Sequence, residues 1–145
     1  MPENRDHSLE RRERSARHEL TVVMEQSTHC REKHEVTIRQ LHAWLHHLNR
    51  AGHLLLDDLE HEIDKGLTES SWLWSAIDGT LAASRQIMEI QYQVEARGDH
   101  YSVAGDIYEL LGMDVLLEAL QEILSKTMVL IPESYDLGSV GYGEG

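Results

Sequence analysis

The sequence predicts an all-α fold, a helical bundle of about four helices followed by a flexible C-terminal tail. Apolar residues recur at three- and four-residue steps through most of the chain, which is the spacing of amphipathic helices. The chain contains no Phe, so Leu, Ile, Val and Met must fill the core, and this inventory suits packed helices better than a sheet. Its 145 residues match one ordinary domain, which we place at residues 1–131 with the tail at 132–145.

The first helical segment is predicted from about residue 6 to residue 28 and is rich in Glu and Arg. Pairs of these side chains three or four residues apart stabilise a helix by only about 0.2–0.5 kcal/mol each. Apolar residues become frequent only from Leu20 onward. We therefore expect residues 1–18 to fray.

The second segment, roughly residues 33–65, has the clearest amphipathic pattern. Its apolar stripe consists of Ile38, Leu41, Leu45, Leu48, Leu55, Leu59 and Ile63. Gly52 interrupts the helix at a cost near 1 kcal/mol relative to Ala, and it permits either a close helix crossing or a kink. Gly66 then provides a stop of the kind found after helix C-termini.

The third segment is predicted from Trp72 to Ala96, with capping residues at 68–71 and a stop at Arg97 and Gly98. Small residues keep one of its sides slim, which allows a neighbouring helix to approach closely. They are Ala76, Ala82, Ala83 and Ser84.

The fourth segment begins after Ser102 as a predicted cap and is densely apolar through Leu124, with Gly112 as a possible division. So broad an apolar surface predicts burial on more than one side, at the centre of the bundle or in a dimer interface. Pro132 ends the helical region, and the residues after it have the composition of a flexible tail.

The compartment is predicted from cysteine usage and from hydropathy. Cys30 is the one cysteine, so the chain cannot form an internal disulfide, and this fits a reducing environment. The N-terminus has arginines but no apolar signal region, and no stretch approaches the roughly 20 apolar residues of a membrane span. We expect a soluble, cytoplasmic protein that does not associate with a membrane.

The formal net charge of −13 lies almost entirely beyond residue 35, because the first 35 residues are near neutral. A negative surface repels phosphates and attracts basic partners, so direct nucleic-acid binding by the main body is not expected. Residues 107–114 resemble the start of a helix-turn-helix, but the chain continues apolar and acidic where a recognition helix needs basic residues. The charge therefore serves either solubility alone or binding to the basic surface of a protein.

Nine of the ten histidines fall between residues 7 and 61. On a helix with 3.6 residues per turn, His42, His46, His53 and Asp57 lie within about 60° of one another. His42 and His46 are four residues apart, the spacing at which two imidazoles share a zinc ion. However, Ala43 follows His42 where the HExxH motif has Glu, and His29, Cys30 and His34 lack a Cys-x-x-Cys partner.

These patterns predict exposed or interfacial histidines, with a metal-binding or metal-sensing bundle as the alternative. That alternative uses zinc on His42, His46, His53 and Asp57. Histidines close to acids also suggest a surface charge that changes between roughly pH 5 and pH 7.

The tryptophans favour binding over catalysis. No nucleophile motif or phosphate-binding glycine loop appears in the sequence, so we expect no enzymatic activity and no cofactor. Trp72 and Trp74 are two residues apart, about 200° around a helix, so at least one must be exposed or lie in an interface. Trp44 adds hydrophobic area at the edge of the Leu stripe, which favours a homodimer or a complex.

The predicted function is therefore a non-enzymatic interaction module, an acidic adaptor or inhibitor that engages a basic surface of a protein target. Antitoxins, immunity proteins and anti-defence factors are of this kind, and the analogy rests on size, charge and missing catalytic motifs. The predicted contact residues are Trp72, Trp74, Asp57, Asp58, Glu60, Glu62 and Asp64.

Overall fold

The computed structural model describes residues 15–66, 71–97 and 101–132. Within these ranges the chain forms four long helices, one short helix and two three-residue strands, which confirms the predicted all-α bundle. The elements are α1 (Ala16–Lys33), β1 (Glu35–Thr37), α2 (Ile38–Asp64), α3 (Ser71–Arg97), β2 (Ser102–Ala104), α4 (Gly105–Leu110) and α5 (Met113–Leu130).

Helix α1 begins inside the stretch for which fraying was predicted, because Ser15 caps it by accepting a hydrogen bond from the backbone N–H of His18. Residues 1–14 of that stretch lie outside the described residues. The helix continues to Lys33, five residues further than predicted, and ends where His34 adopts a left-handed conformation with φ of 54°.

The junction between α1 and α2 corrects two sequence predictions. Residues 35–37 form a strand rather than the start of the second helix, and Ser102 lies in the opposing strand rather than capping the fourth segment. The two strands pair antiparallel, with Val36 opposite Val103, and both valines are buried. A strand of three residues is too short to show an alternating pattern of apolar and polar side chains, and the segments on either side have helical spacing. The strand pair therefore could not be recognised from the sequence.

Two glycines define helix boundaries where the sequence predicted them. Gly66 follows α2 with φ of 79°, and Gly112 separates α4 from α5 with φ of 66°. The start of α2 was predicted too early, because Thr37 caps the helix through a capping box with Gln40. Helix α3 ends at Arg97 as predicted. The predicted capping residues at 68–70, Gly98 and the tail beyond Pro132 lie outside the described residues.

The four long helices pack as a ring in the order α1, α2, α3, α5, since α3 contacts both α2 and α5 and α1 contacts both α5 and α2. The core takes apolar residues from every helix, and α5 is buried on the sides facing α3 and α1. Arg31 of α1 also binds Asp114 of α5 with two hydrogen bonds, of 3.0 and 3.1 Å. Across the described ranges, none of the helices combines the length and the apolar run needed to cross a lipid bilayer.

Trp44 belongs to the core and not to an interface, which corrects the prediction from its position at the stripe's edge. Its side chain is fully buried, and its indole Nε1 donates a hydrogen bond of 2.8 Å to Oε1 of Gln26. Burial of a large aromatic ring with its polar atom satisfied is the expected arrangement for a core Trp. The hydrophobic area that remains on the surface must therefore come from other residues.

Candidate functional site

An open groove of about 580 Å³ runs between α2 and α3 on the outside of the bundle. Its lining is mainly apolar, with Leu56 from α2 and Ile77, Leu81 and Met88 from α3. Gly52 and Thr80 lie side by side in its lining, and an added Cβ at Gly52 would be 3.9 Å from the Thr80 methyl carbon, an ordinary van der Waals distance. We call the groove and its two flanking ridges the α2–α3 face.

Helix α3 contributes a stripe of exposed apolar side chains to this face. Trp74, Leu81 and Met88 have 53%, 54% and 56% of their surface exposed. They follow one another at seven-residue steps, and seven residues advance a helix by nearly two full turns, so all three point the same way. We call these three residues the α3 stripe. Repeated large apolar side chains on one exposed side indicate an interaction surface.

Three of the predicted histidines line the groove. His42, His46 and His53 project from α2 into it and are exposed. His46 and His53 are separated by about 10 Å along the helix axis, which is too far for one metal ion. Within the part of the chain that the structure describes, no three His, Cys, Asp or Glu side chains are grouped so as to hold a metal ion. Among the described residues the candidate ligands therefore come together only as pairs four residues apart on α2, His42 with His46 and His53 with Asp57.

The predicted acidic region divides between two sides of α2. Asp57, Glu60 and Asp64 are exposed and lie within about 40° of His53 around the helix axis, on the groove side. We call these three residues the acidic end. Asp58 and Glu62 are half-buried and lie more than 120° away from His53.

Partial burial has an electrostatic consequence for Asp58. Desolvation, together with the nearby charges of Asp57 and Glu62, raises the pKa of its carboxyl to about 6, while His61 opposes the shift. Asp58 therefore gains its charge only near neutral pH, unlike an ordinary surface aspartate.

The two predicted tryptophans take different roles, as their spacing required. Trp72 is half-buried and packs against the core, while Trp74 projects from the bundle. Helices α2 and α3 run antiparallel, because the paired strands bring the start of α2 close to the end of α3. Gly52 lies beside Thr80, so Trp74 is level with the first turn of the acidic end.

Sequence reasoning missed a buried charge cluster between α1 and α2. Glu19 has 1% of its surface exposed, and its carboxylate contacts Nδ1 of His47 at 2.5 Å and Nη1 of Arg50 at 3.7 Å. The available signal was the position of Glu19, on the same side of α1 as Ala16, Leu20 and Val23. A buried carboxylate needs such partners, so His47 is a structural residue.

The cluster of His29, Cys30 and His34 does not assemble a reactive centre. Cys30 is buried, and desolvation with a contribution from Glu35 raises the pKa of its thiol to about 11 despite Lys33. His29 and His34 are exposed. A thiol that stays protonated is a poor nucleophile and a poor metal ligand.

Comparison of the chain with family models, with curated proteins and with solved structures gives no match.

Proposed function

We propose that the chain is a non-enzymatic protein-interaction module, an acidic adaptor or inhibitor that binds a basic surface of a protein target on its α2–α3 face. The observation that carries this proposal is the acidic end beside the exposed Trp74. Protein interfaces typically have aromatic anchors near their centre and polar or charged residues at their rim.

Acidic and basic residues are distributed unevenly along α2. Residues 57–64 include five acidic residues and no Lys or Arg, whereas residues 38–56 include Arg39 and Arg50 and no acid. The target's Lys and Arg side chains therefore align with the last two turns of α2. Each exposed ion pair contributes only about 0–1 kcal/mol, so these charges orient the target and speed its association.

Affinity comes from the apolar part of the face. Trp74, Leu81 and Leu56 offer exposed hydrophobic surface along the groove. Burying such side chains yields about 25 cal/mol for each Å² removed from water. A target that fits presents apolar side chains beside a basic cluster, as an amphipathic helix does when it docks in a groove.

The test is affinity capture from the native host, followed by a binding titration with the purified captured protein. The altered chain carries Asp57→Asn, Glu60→Gln and Asp64→Asn, and a separate chain carries Trp74→Ala. We expect the wild-type chain to retain one dominant basic protein, and each altered chain to bind it at least ten times more weakly.

The matched control removes three exposed charges from other surfaces through Glu25→Gln, Asp106→Asn and Glu122→Gln. This variant has the same net charge as the acidic-end variant, so a general effect of charge would weaken both equally. Equal retention of the target by all these chains would contradict the proposal.

A further inference from the structure

We propose that a second copy of this chain covers the α2–α3 face when no target is bound. The dimer is two-fold symmetric and packs face to face. Its axis lies in the plane of the face, perpendicular to α3, and crosses that helix at Leu81. The inference goes beyond the proposed function and does not rest on it.

The α3 stripe is self-complementary about this axis. Two α3 helices related by it run antiparallel, so residues whose numbers add to about 162 face each other. Leu81 then packs against Leu81 of the second copy, and Trp74 packs against Met88 of the second copy. All three side chains are more than half exposed in the single chain, so the dimer removes the largest apolar surface of the face from water.

The charges of α2 are complementary about the same axis. Gly52 lies beside Thr80, so the axis crosses α2 near residue 51 and opposed residue numbers add to about 102. His42 then faces Glu60 of the second copy, and His46 faces Asp57. Arg39 faces Asp64 one turn further out. All six side chains are exposed on the single chain.

Helix α3 repeats this complementarity with a pair of its own. Asp78 and Arg85 are exposed, and both lie within about 60° of Leu81 around the helix. Their numbers add to 163, so each faces the other across the axis, twice in the dimer. The acidic end therefore meets the basic half of the second copy instead of another acidic end.

A different two-fold axis, parallel to the helices, explains the charges less well. It would stack the first turn of the acidic end on residues 71–75 of α3 in the second copy, a stretch without Lys, Arg or His. Charge complementarity thus selects the perpendicular axis. Because the target of the proposed function uses the same face, its binding must separate the two copies.

A charge exchange tests the arrangement on the purified full chain by sedimentation equilibrium. With Arg85→Asp alone, an aspartate faces an aspartate at each of the two contacts. With Asp78→Arg alone, an arginine faces an arginine. We expect each single variant to dimerise at least ten times more weakly than the wild type. An equal mixture of the two, and the chain with both changes, should dimerise like the wild type.

Disulfide trapping tests the position of the axis independently. Leu81→Cys should cross-link two copies on mild oxidation, whereas Met88→Cys alone should not, because its two copies lie about 21 Å apart along the helices. Mixing Trp74→Cys with Met88→Cys should give a cross-link between the two different chains. Ser75→Cys, exposed on another side of α3, is the control and should remain uncross-linked.

Two results would overturn the inference. One is a wild-type chain that stays monomeric to 0.2 mM, which would leave the face to a foreign protein alone. The other is a dimer that both single charge variants retain. Both measurements use the chain without any target, so they succeed or fail separately from the capture experiment.

Discussion

Two glycines show how differently the two sides of α3 are packed. On the side facing α5, an added Cβ at Gly79 would lie 2.1 Å from Oγ1 of Thr127 and 3.0 Å from its Cβ. On the side facing α2, an added Cβ at Gly52 would meet only the Thr80 methyl carbon, at 3.9 Å. The first contact has no room for another carbon atom, and the second has an ordinary van der Waals separation.

The chain packs the interface between α3 and α5 tightly, whereas it leaves a groove open between α2 and α3. Close approach of α3 and α5 brings their side chains together around Gly79 and buries Leu117, Leu120 and Leu124. The contact between α2 and α3 leaves a groove with an apolar stripe beside it. A helix that is packed tightly on one side and open on the other indicates where another molecule binds.

The largest expected effect is on the closed interface. Gly79→Ala should lower the free energy of unfolding by about 2–3 kcal/mol, because Thr127 is buried and a short branched side chain cannot move aside. Gly52→Ala is the matched control, and it should raise the free energy of unfolding by up to about 1 kcal/mol through better helix propensity. Urea unfolding of both variants measures the difference.

Similar stabilities for the two alanine variants would contradict this comparison. Adding Thr127→Ala to Gly79→Ala removes both the hydroxyl oxygen and the methyl carbon that the new Cβ would meet, and it should restore part of the lost stability. The Thr127→Ala change alone should not stabilise the chain.

The second expected effect is on the interface of α1 with α2, which is closed by polar contacts. Glu19→Ala should lower the free energy of unfolding by about 2 kcal/mol, since it removes the buried carboxylate that binds His47 and Arg50. Glu25→Ala, on the exposed side of the same helix, should change it by less than about 0.5 kcal/mol. Equal losses of stability in the two variants would show that the buried cluster stabilises the fold no more than an exposed glutamate does.

The third expected effect depends on pH. Asp58 has a folded-state pKa of about 6, above its ordinary value of 3.8, so its charge destabilises the folded chain above pH 6. This cost falls as the pH drops below 6 and disappears below about pH 3. After discounting for its exposed part, Asp58→Asn should raise the free energy of unfolding by about 1 kcal/mol at pH 8.

The gain from Asp58→Asn should vanish below about pH 3, where the carboxyl is protonated in both the folded and the unfolded state. Glu60→Gln removes an exposed charge from the same two turns and is the control. A gain for Asp58→Asn that stayed constant from pH 4 to pH 8 would rule out the electrostatic explanation.

The smallest expected effect concerns metal on the open face. His42 and His46 offer zinc two ligands, so equimolar zinc should raise the free energy of unfolding by less than about 0.5 kcal/mol. A larger increase that disappears in a chain with His42→Ala and His46→Ala would favour the metal-binding alternative. His18→Ala with His29→Ala, two exposed histidines away from the groove, serves as the control.

Much of the fold was predictable from helical spacing and turn residues. The apolar stripe of α2, the stop at Gly66 and the division at Gly112 all depend on neighbouring residues in the chain, and the structure has them where they were predicted. The strand pair was not predictable in this way. The pairing of Val36 with Val103 joins segments that lie two long helices apart in the sequence.

The candidate site was predictable in composition but not in arrangement. The spacing of Trp72 and Trp74 required one of them to leave the core, and Trp74 does so. The five acids between residues 57 and 64 were visible as a cluster, yet only the tertiary structure divides them into an exposed acidic end and a half-buried pair. Trp44 was misjudged because its partner Gln26 lies on α1, and Glu19 was missed because its partners His47 and Arg50 lie on α2.

The sequence by itself determined the helical class, the helix ends set by Gly66 and Gly112, and the negative charge beyond residue 35. These features depend on local periodicity and composition. Only the tertiary structure decided which side of α3 is sealed by Gly79 and Thr127, and which side leaves Trp74, Leu81 and Met88 exposed. An amphipathic pattern states how many apolar residues a helix has, but their burial depends on how closely the neighbouring helix can approach.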